Sequence, residues 1–307
     1  MTEFDVVVVG GGAAGLSSAM MLGRARRTVA VVDAGEPRNA PASHLHGFLS
    51  RDGMDPAELL RTGRQEVASY GGEILSQNVQ DITKVAEEHF EVQLSDGQSI
   101  SARAIVMATG VHDELPEIRG LRERWGQDVH FCPYCHGYEV SGQALGVIGG
   151  EDRMYSVRQA QLIRQWSEDV VFFPNKIVLT PEERRIFDAR GVQIAEGEVT
   201  EIVSDANGVR SVERDGNPSI SRDALFVGPL FVPSGGLLAS LGCDVDEQGW
   251  VITDRTGKTS VDGVWAAGNI VDPTAQLINA AAAGSAAAIA MNNQYLVPSD
   301  TRKALEN

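Results

Sequence analysis

The stretch "HFCPYCHG", residues 130–137, holds two of the chain's three cysteines in Cys-x-x-Cys spacing, with His136 directly after the second. Such a pair can close a structural disulfide, supply half of a metal site, or cycle between dithiol and disulfide. A tetrahedral metal site needs further ligands. No second Cys-x-x-Cys or spaced His pair stands nearby, although His44 and His46 could be recruited. A structural disulfide belongs to an oxidising compartment. Redox cycling is therefore the leading reading for Cys132 and Cys135. Thiolates attack and thiols do not, so something must take protons. His136 titrates near neutrality and is the first candidate base, ahead of His130. Pro133 and the turn after it are suited to placing the pair at a helix N-terminus, which lowers a thiol pKa. Cys243, in "SLGCDVDEQG", reads as an inert core thiol.

A working pair needs an electron partner, and the first 33 residues supply a place for one. Val6 to Val9 is a continuous apolar run, the pattern of a parallel strand buried on both faces. Gly10, Gly12 and Gly15 follow in G-x-G-x-x-G spacing, then a helix from Ala13 to about Gly23 and a strand from Thr28 to Val32 ending at Asp33. Gly10 makes the tight turn, Gly12 admits a pyrophosphate to the backbone, and Gly15 lets helix and strand pack closely. The helix N-terminus offers N–H groups to the phosphates. Asp33 is placed to accept hydrogen bonds from ribose hydroxyls. This unit therefore reads as a dinucleotide site.

"ALGVIGGEDRMYSVRQAQLIRQWSEDVVFFPN" repeats strand, turn, helix and strand from residue 144 onward. "IVMATG" reads as a strand entering a glycine turn, and "GVWAAGNIVDPTAQLINAAAAGSAAAIAM" as a strand, a turn at Gly268–Asn269 and a helix from about Thr274. The plan expected is α/β, with two Rossmann-like three-layer dinucleotide-binding domains, one inserted in the other. Residues 1–112 and 235–307 form the first domain and 113–234 the second. "HDELPEIRG" and "GPLFVPSGG" carry the Pro and Gly of the two crossings. The polar tail "SDTRKALEN" reads as mobile.

Composition bounds the partners. A chain of 307 residues with 43% hydrophobic content is long enough for two domains with sizeable cores. A net charge of −16 and a pI of about 4.8 disfavour nucleic acid and anionic membrane. The start "MTEFDVVVVGGG" lacks the pattern of a signal peptide, and "INAAAAGSAAAIAM" is shorter than the roughly 20 residues of a membrane span. A soluble cytoplasmic protein is expected, which further disfavours a structural disulfide.

"VVGGGAAG" with Asp33, "MATG", "CPYCHG" and "VWAAGNIVDPTAQ" together resemble the low-molecular-weight thioredoxin reductase family across nearly the whole chain. The resemblance implies FAD in the first domain, NADPH in the second, a Cys-x-x-Cys facing the flavin, and a homodimer. It assigns Gly10, Gly12, Ala14, Gly15 and Asp33 to the ADP half of FAD, and Ala108, Thr109 and Gly110 to the same cleft. Gly268, Asn269, Ala275, Gln276 and Leu277 would reach the ribityl chain and flavin ring. The segment "GEPRNAPASHLHGFLSRDG" would cover the isoalloxazine, with Arg38, Asn39, His44 and His46 as its polar candidates. Asn269 stands where the family usually has aspartate, and its amide oxygen can still accept a ribityl hydrogen bond.

Two departures redirect the functional expectation. In the second unit Glu151 stands in place of Gly12 and Met154 in place of Gly15, putting a negative charge where a pyrophosphate docks and bulk where a helix packs. The family's His-Arg-Arg cluster for the 2′-phosphate is missing, leaving Lys176 nearby and Arg153 further back. NADPH is therefore not expected. His136 replaces the family's usual aspartate. "CPYCHG" looks most like the dithiol oxidase branch, the gliotoxin-type and holomycin-type disulfide-forming flavoenzymes of natural-product (antibiotic) biosynthesis. That resemblance implies a small-molecule dithiol as substrate and oxygen as acceptor, with hydrogen peroxide released. On this reading a substrate thiolate attacks Cys132, and Cys135 passes electrons to the flavin. The alternative is a thioredoxin reductase fed by NADPH or ferredoxin.

Overall fold

The structure is a computed structural model that describes residues 2–306. The Val-rich start becomes β1 (Thr2–Val9), and α1 (Ala13–Arg24) and β2 (Val29–Val32) complete the first unit. Then follow α2 (Pro56–Ser69), β3 (Glu73–Leu75), a meander of β4 (Val79–Ala86) and β5 (His89–Leu94), and β6 (Ser99–Met107). Strands β3, β2, β1 and β6 lie side by side and parallel. Along its other edge β6 splits its pairing. Residues 99–102 take β5 antiparallel, and residues 105–107 take β17 (Val264–Ala266) parallel.

Between these lies the second sheet. After β7 (Val111–Glu114) come α3 (Leu121–Arg124), β8 (Val129–His130), α4 (Pro133–His136), β9 (Leu145–Ile148), α5 (Arg153–Ile163) and β10 (Val170–Phe173). Next are α6 (Pro181–Arg190), β11 (Gln193–Ile194), the antiparallel sheet β12 (Val199–Asp205), β13 (Gly208–Arg214) and β14 (Asn217–Ser221), then β15 (Ala224–Val227) and β16 (Leu230–Pro233). Strands β11, β10, β9, β15 and β8 form an all-parallel sheet in that order. All four residues of β9, β10 and β15 are buried, as expected of strands covered on both faces. Helices α5 and α6 cover one face, and the β12–β14 sheet covers the other. This sheet is thus the middle of three layers. The two segments expected to cross between domains pair with each other, β7 against β16, with Asp113 opposite Phe231.

The chain ends in α7 (Gly236–Ser240), β17, α8 (Leu277–Met291) and α9 (Val297–Glu306). Two expectations change here. Helix α8 begins at Leu277, not Thr274, because the Asp272 carboxylate accepts from the Thr274 N–H and hydroxyl and stops the helix from starting there. The tail is helical, not loose. Ser299 is buried, and Asp300 pairs with Arg27 and Arg103 at 2.7 and 2.8 Å. Asn307 lies outside the described residues.

Candidate active site

The first turn is shaped by its glycines. Gly10 has φ of +103°, and a Cβ there would overlap the Ala108 carbonyl oxygen. A Cβ on Gly15 would overlap the Gly10 carbonyl, so this glycine sets the depth at which α1 packs. Around Gly12 there is open space. Gly268, in the turn after β17, packs on Ala14, and Gly284 of α8 lies on the Ala14 backbone. The Gly268–Asn269 turn is thereby held beside the start of α1. Thr109 donates its hydroxyl to the Ser234 carbonyl at 2.9 Å, and Gly110 has φ of +72°. Asn269 donates its amide to the carbonyls of Asp272 (2.9 Å) and Ala275 (3.0 Å), so Oδ1 is left as the acceptor. Gln276 is the N-cap of α8, and its side chain approaches Gly47 of the loop between β2 and α2.

Helix N-termini separate the two nucleotide units. The N-caps of α1 and α8, Gly12 and Gln276, make no side-chain capping bond, and no acidic residue sits in either first turn. Helix α2 is capped by Asp55 and α6 by Thr180. Helix α5 is capped by Asp152, which accepts from the Tyr155 N–H at 2.9 Å. The first unit keeps free amides for a phosphate. In the second, a carboxylate occupies that place. The turn there is one residue longer, 149–152 against 10–12. The bulk expected of Met154 does not intrude on the helix packing. Met154 is 67% exposed, and Tyr155 takes the helix position of Gly15. The two expected cations are spoken for: Arg153 pairs with Glu183 at 2.6 Å and Lys176 with Glu198 at 3.4 Å. A cavity of about 400 Å³ remains at this edge, lined by Glu117, Glu151 and Glu198 among others.

Cys132 and Cys135 are disulfide-bonded, with Cα atoms 5.3 Å apart and both residues half-buried. Cys132 is the N-cap of the single-turn α4, and its carbonyl accepts from the N–H groups of Cys135 and His136. Cys243 is buried against Thr259, and burial raises its thiol pKa, as suits an inert thiol. His136 stacks on His130 with centroids 4.4 Å apart and planes 14° from parallel. Burial pushes His130 down to about 3, with His136 adding to the effect, so it is neutral at working pH. Burial also lowers the His136 pKa, against the opposing pull of Glu139. His136 is thus a neutral base at neutrality. Among the described residues, no group of three His, Cys, Asp or Glu side chains is placed to hold a metal ion.

The loop between β2 and α2 runs along the redox segment. Pro41 packs on Gly126, and His46 lies 3.4 Å from Glu139 and 3.5 Å from Asp52. Asn39 sits in a turn closed by the Ala42 N–H, and His44 is exposed. Arg38, expected at the flavin, spends Nε and Nη2 on Asp113 and Nη1 on the Pro273 carbonyl. It ties the loop to β7 and to the Pro273 turn. The sequence did not flag Arg64, which holds Asp33 at 2.7 Å. Its position on α2, 31 residues from Asp33 in sequence, carries no local signal.

Residues 4–285 match the model of the pyridine nucleotide-disulphide oxidoreductase family. The chain belongs to that family. The oxidoreductase is 30% identical to thioredoxin reductase sirT of Leptosphaeria maculans, over 95% of this chain and 94% of that one. Its fold matches the crystal structure of HlmI with a TM-score of 0.96 at 50% identity, covering 100% of this chain and 97% of the other. It also matches an oxidoreductase from Agrobacterium tumefaciens, with a TM-score of 0.90 at 36% identity over 97% and 100% of the two chains. The oxidoreductase is accordingly a flavin-dependent enzyme that uses FAD. Its residues fit that cofactor, with two uncapped helix N-termini, open space at Gly12, and Asp33 at the end of β2. Among the described residues, no helix is long and apolar enough to cross a membrane.

Proposed function

We propose that this oxidoreductase is an FAD-dependent dithiol oxidase that closes a disulfide in a small-molecule dithiol, with oxygen as final acceptor. The observation that carries the reading is the Asp152 carboxylate capping α5 where a nucleotide pyrophosphate would bind. Glu151 adds a second negative charge, and the Arg153 and Lys176 charges are already paired. NADPH is therefore not its electron source. Residues 1–112 with 235–307 form the FAD domain on this reading, and 113–234 the degenerate unit carrying the redox pair. The two parallel sheets and the β7–β16 ribbon support that division. The enzyme acts as a cytoplasmic homodimer in natural-product biosynthesis, without nucleic acid or membrane.

In the mechanism, a substrate thiolate attacks Cys132 Sγ, opening the disulfide and releasing Cys135 as thiolate. His136 takes the substrate proton, and the partial exposure of the pair leaves its disulfide open to attack. The second substrate thiol attacks the mixed disulfide, so the product leaves oxidised and the enzyme holds two thiols. Bound FAD supplies the two-electron sink that restores the enzyme disulfide, and oxygen takes the pair as hydrogen peroxide. His130, neutral and stacked, holds the His136 ring in place.

The test is the flavin spectrum of the purified flavoprotein under nitrogen, mixed with NADPH or with dithiothreitol. Bleaching by dithiothreitol but not NADPH, reversed by air, is expected. Rapid bleaching by NADPH would return the enzyme to the reductases. Bleaching that air does not reverse, but a thioredoxin or ferredoxin couple does, would also refute the oxidase.

A further inference from the structure

Phe131 directly precedes Cys132, so whatever fixes Phe131 holds the backbone from which the Cys132 side chain springs. Its carbonyl accepts two hydrogen bonds from α5, from the Tyr155 hydroxyl at 3.2 Å and from Gln159 Nε2 at 2.7 Å. Gln159 is 2% exposed, and burial raises the Tyr155 pKa, which keeps its hydroxyl a donor. The Phe131 ring lies near-parallel to Tyr155, with centroids 5.5 Å apart, and edge-on to Phe231 at 5.0 Å. Above both phenylalanines sits the Arg38 guanidinium, 5.3 and 5.1 Å from their centroids. Arg38 in turn forks onto Asp113 at 2.8 and 2.7 Å and donates to the Pro273 carbonyl at 2.8 Å. Asp113 and Phe231 face each other across the β7–β16 ribbon. Pro273 belongs to the turn leading into α8.

We infer that Tyr155, Gln159 and Arg38 are positioning residues that clamp Phe131, and through it the redox disulfide, at a fixed place against the flavin cleft. Helix α5 is the helix of the second nucleotide unit, and Tyr155 is its third residue, as Gly15 is of α1. Where Gly15 keeps α1 slim beside its turn, Tyr155 reaches across to the redox segment. A helix whose N-terminus is closed to phosphate has been given to the cysteine pair. Arg38 closes the clamp from the other side, joining the cofactor-side loop, the crossing ribbon and the turn before α8. The inference rests on the dithiol-oxidase reading, because an enzyme with no nicotinamide to bring to its flavin gains from a disulfide that never leaves it.

The test uses flavin-loaded Arg38→Met and Tyr155→Phe enzymes with dithiothreitol as sole reductant under nitrogen. Stopped-flow absorbance gives the rate of flavin reduction apart from any oxygen step. In the two-electron-reduced state, with the cysteines reduced and the flavin still oxidised, thiolate-to-flavin charge-transfer absorption reports contact between cysteine and flavin without turnover. Arg38→Met is expected to slow flavin reduction by roughly tenfold to a hundredfold, the cost of about an ångström of misplacement, and to lose most of the charge-transfer band. Arg38→Lys keeps the charge but not the planar fork, and does not rescue. Tyr155→Phe removes one oxygen atom and should slow reduction by about threefold, so it carries the test however Arg38→Met folds. Wild-type rate and charge-transfer band in a folded Tyr155→Phe or Arg38→Met enzyme would overturn the clamp. NADPH bleaching of the wild type would sink the oxidase reading alone, since the dithiothreitol measurements involve neither NADPH nor oxygen.

Discussion

His130 should make this protein measurably less stable in mild acid, and replacing it should remove that sensitivity. An unfolded histidine titrates near ~6.5. Folded, His130 is held to about 3 by burial and by His136. The folded pKa is the lower one, so between these values the unfolded chain binds more protons. Stability from this residue is therefore complete above about pH 6.5 and drains as pH falls towards 3. The slope is about 1.4 kcal/mol per pH unit, so pH 4.5 removes about 2.7 kcal/mol, roughly a hundredfold in the unfolding equilibrium. The buried Nδ1 has no hydrogen-bond partner, and the Asp128 charge that favours an imidazolium is outweighed by burial. His130→Phe keeps a flat ring between His136 and Phe226 and does not titrate. Urea unfolding of both flavoproteins from pH 7.5 to 4.5 isolates His130 together with its coupling to His136, because the titrations of distant groups cancel in the difference. The wild type should lose its lead over the variant by roughly 2 to 3 kcal/mol across that window. A difference constant to within about 0.5 kcal/mol would show that His130 is protonated in the fold, and the neutral stacked pair would be wrong.

Three further outcomes follow from the site. Cys132→Ser and Cys135→Ser should each abolish dithiol oxidation while the protein stays yellow, and substantial turnover in either would sink the exchange mechanism. His136→Ala should lower kcat/KM by about 10²- to 10⁴-fold. Because burial lowers the His136 pKa, the wild-type acid limb should fall below the ordinary histidine range, and the variant should lack it. An unchanged pH–rate profile excludes His136 as the base. Asn269→Asp replaces an amide that donates to two carbonyls with a group that repels them, costing about 1–3 kcal/mol. Thermal melting and flavin release should both report the loss, and unchanged values would mean that the turn is held otherwise.

What the sequence disclosed was the chemistry that single residues impose on their own neighbourhood. Gly10 and Gly15 are legible because a side chain at either would strike a carbonyl, so residue type and geometry are nearly the same statement. The cysteine spacing is legible for a similar reason. Hidden were the pairings between distant segments, such as Arg38 with Asp113 and Arg64 with Asp33. No periodicity connects such positions, and each charged residue alone looks solvated. The start of α8 was misplaced because Asp272 hydrogen-bonds the Thr274 backbone before a helix can. The tail was misjudged from its polarity. Its charges are what anchor it, since Asp300 joins Asp5 and Glu88 around two arginines, Arg27 and Arg103, that are largely buried.

The two nucleotide units show how one architecture divides its labour. Their strands and helices match in order, and each presents a helix N-terminus at the carboxyl end of a parallel sheet. At α1 the N-cap is a glycine beside open space, and the positive end of the helix faces outward for a phosphate. At α5 the N-cap is an aspartate, and the same helix end is neutralised from within. On the proposed reading this closure is over-determined. Removing the Asp152 carboxylate would still leave Glu151, and it would leave Arg153 and Lys176 bound to Glu183 and Glu198. Restoring a nucleotide site would thus require several changes at once, and Tyr155 would have to give up the Phe131 carbonyl to make room at the third helix position. On that reading this last contact gives the second unit a reason to persist without a nucleotide: its helix serves the disulfide.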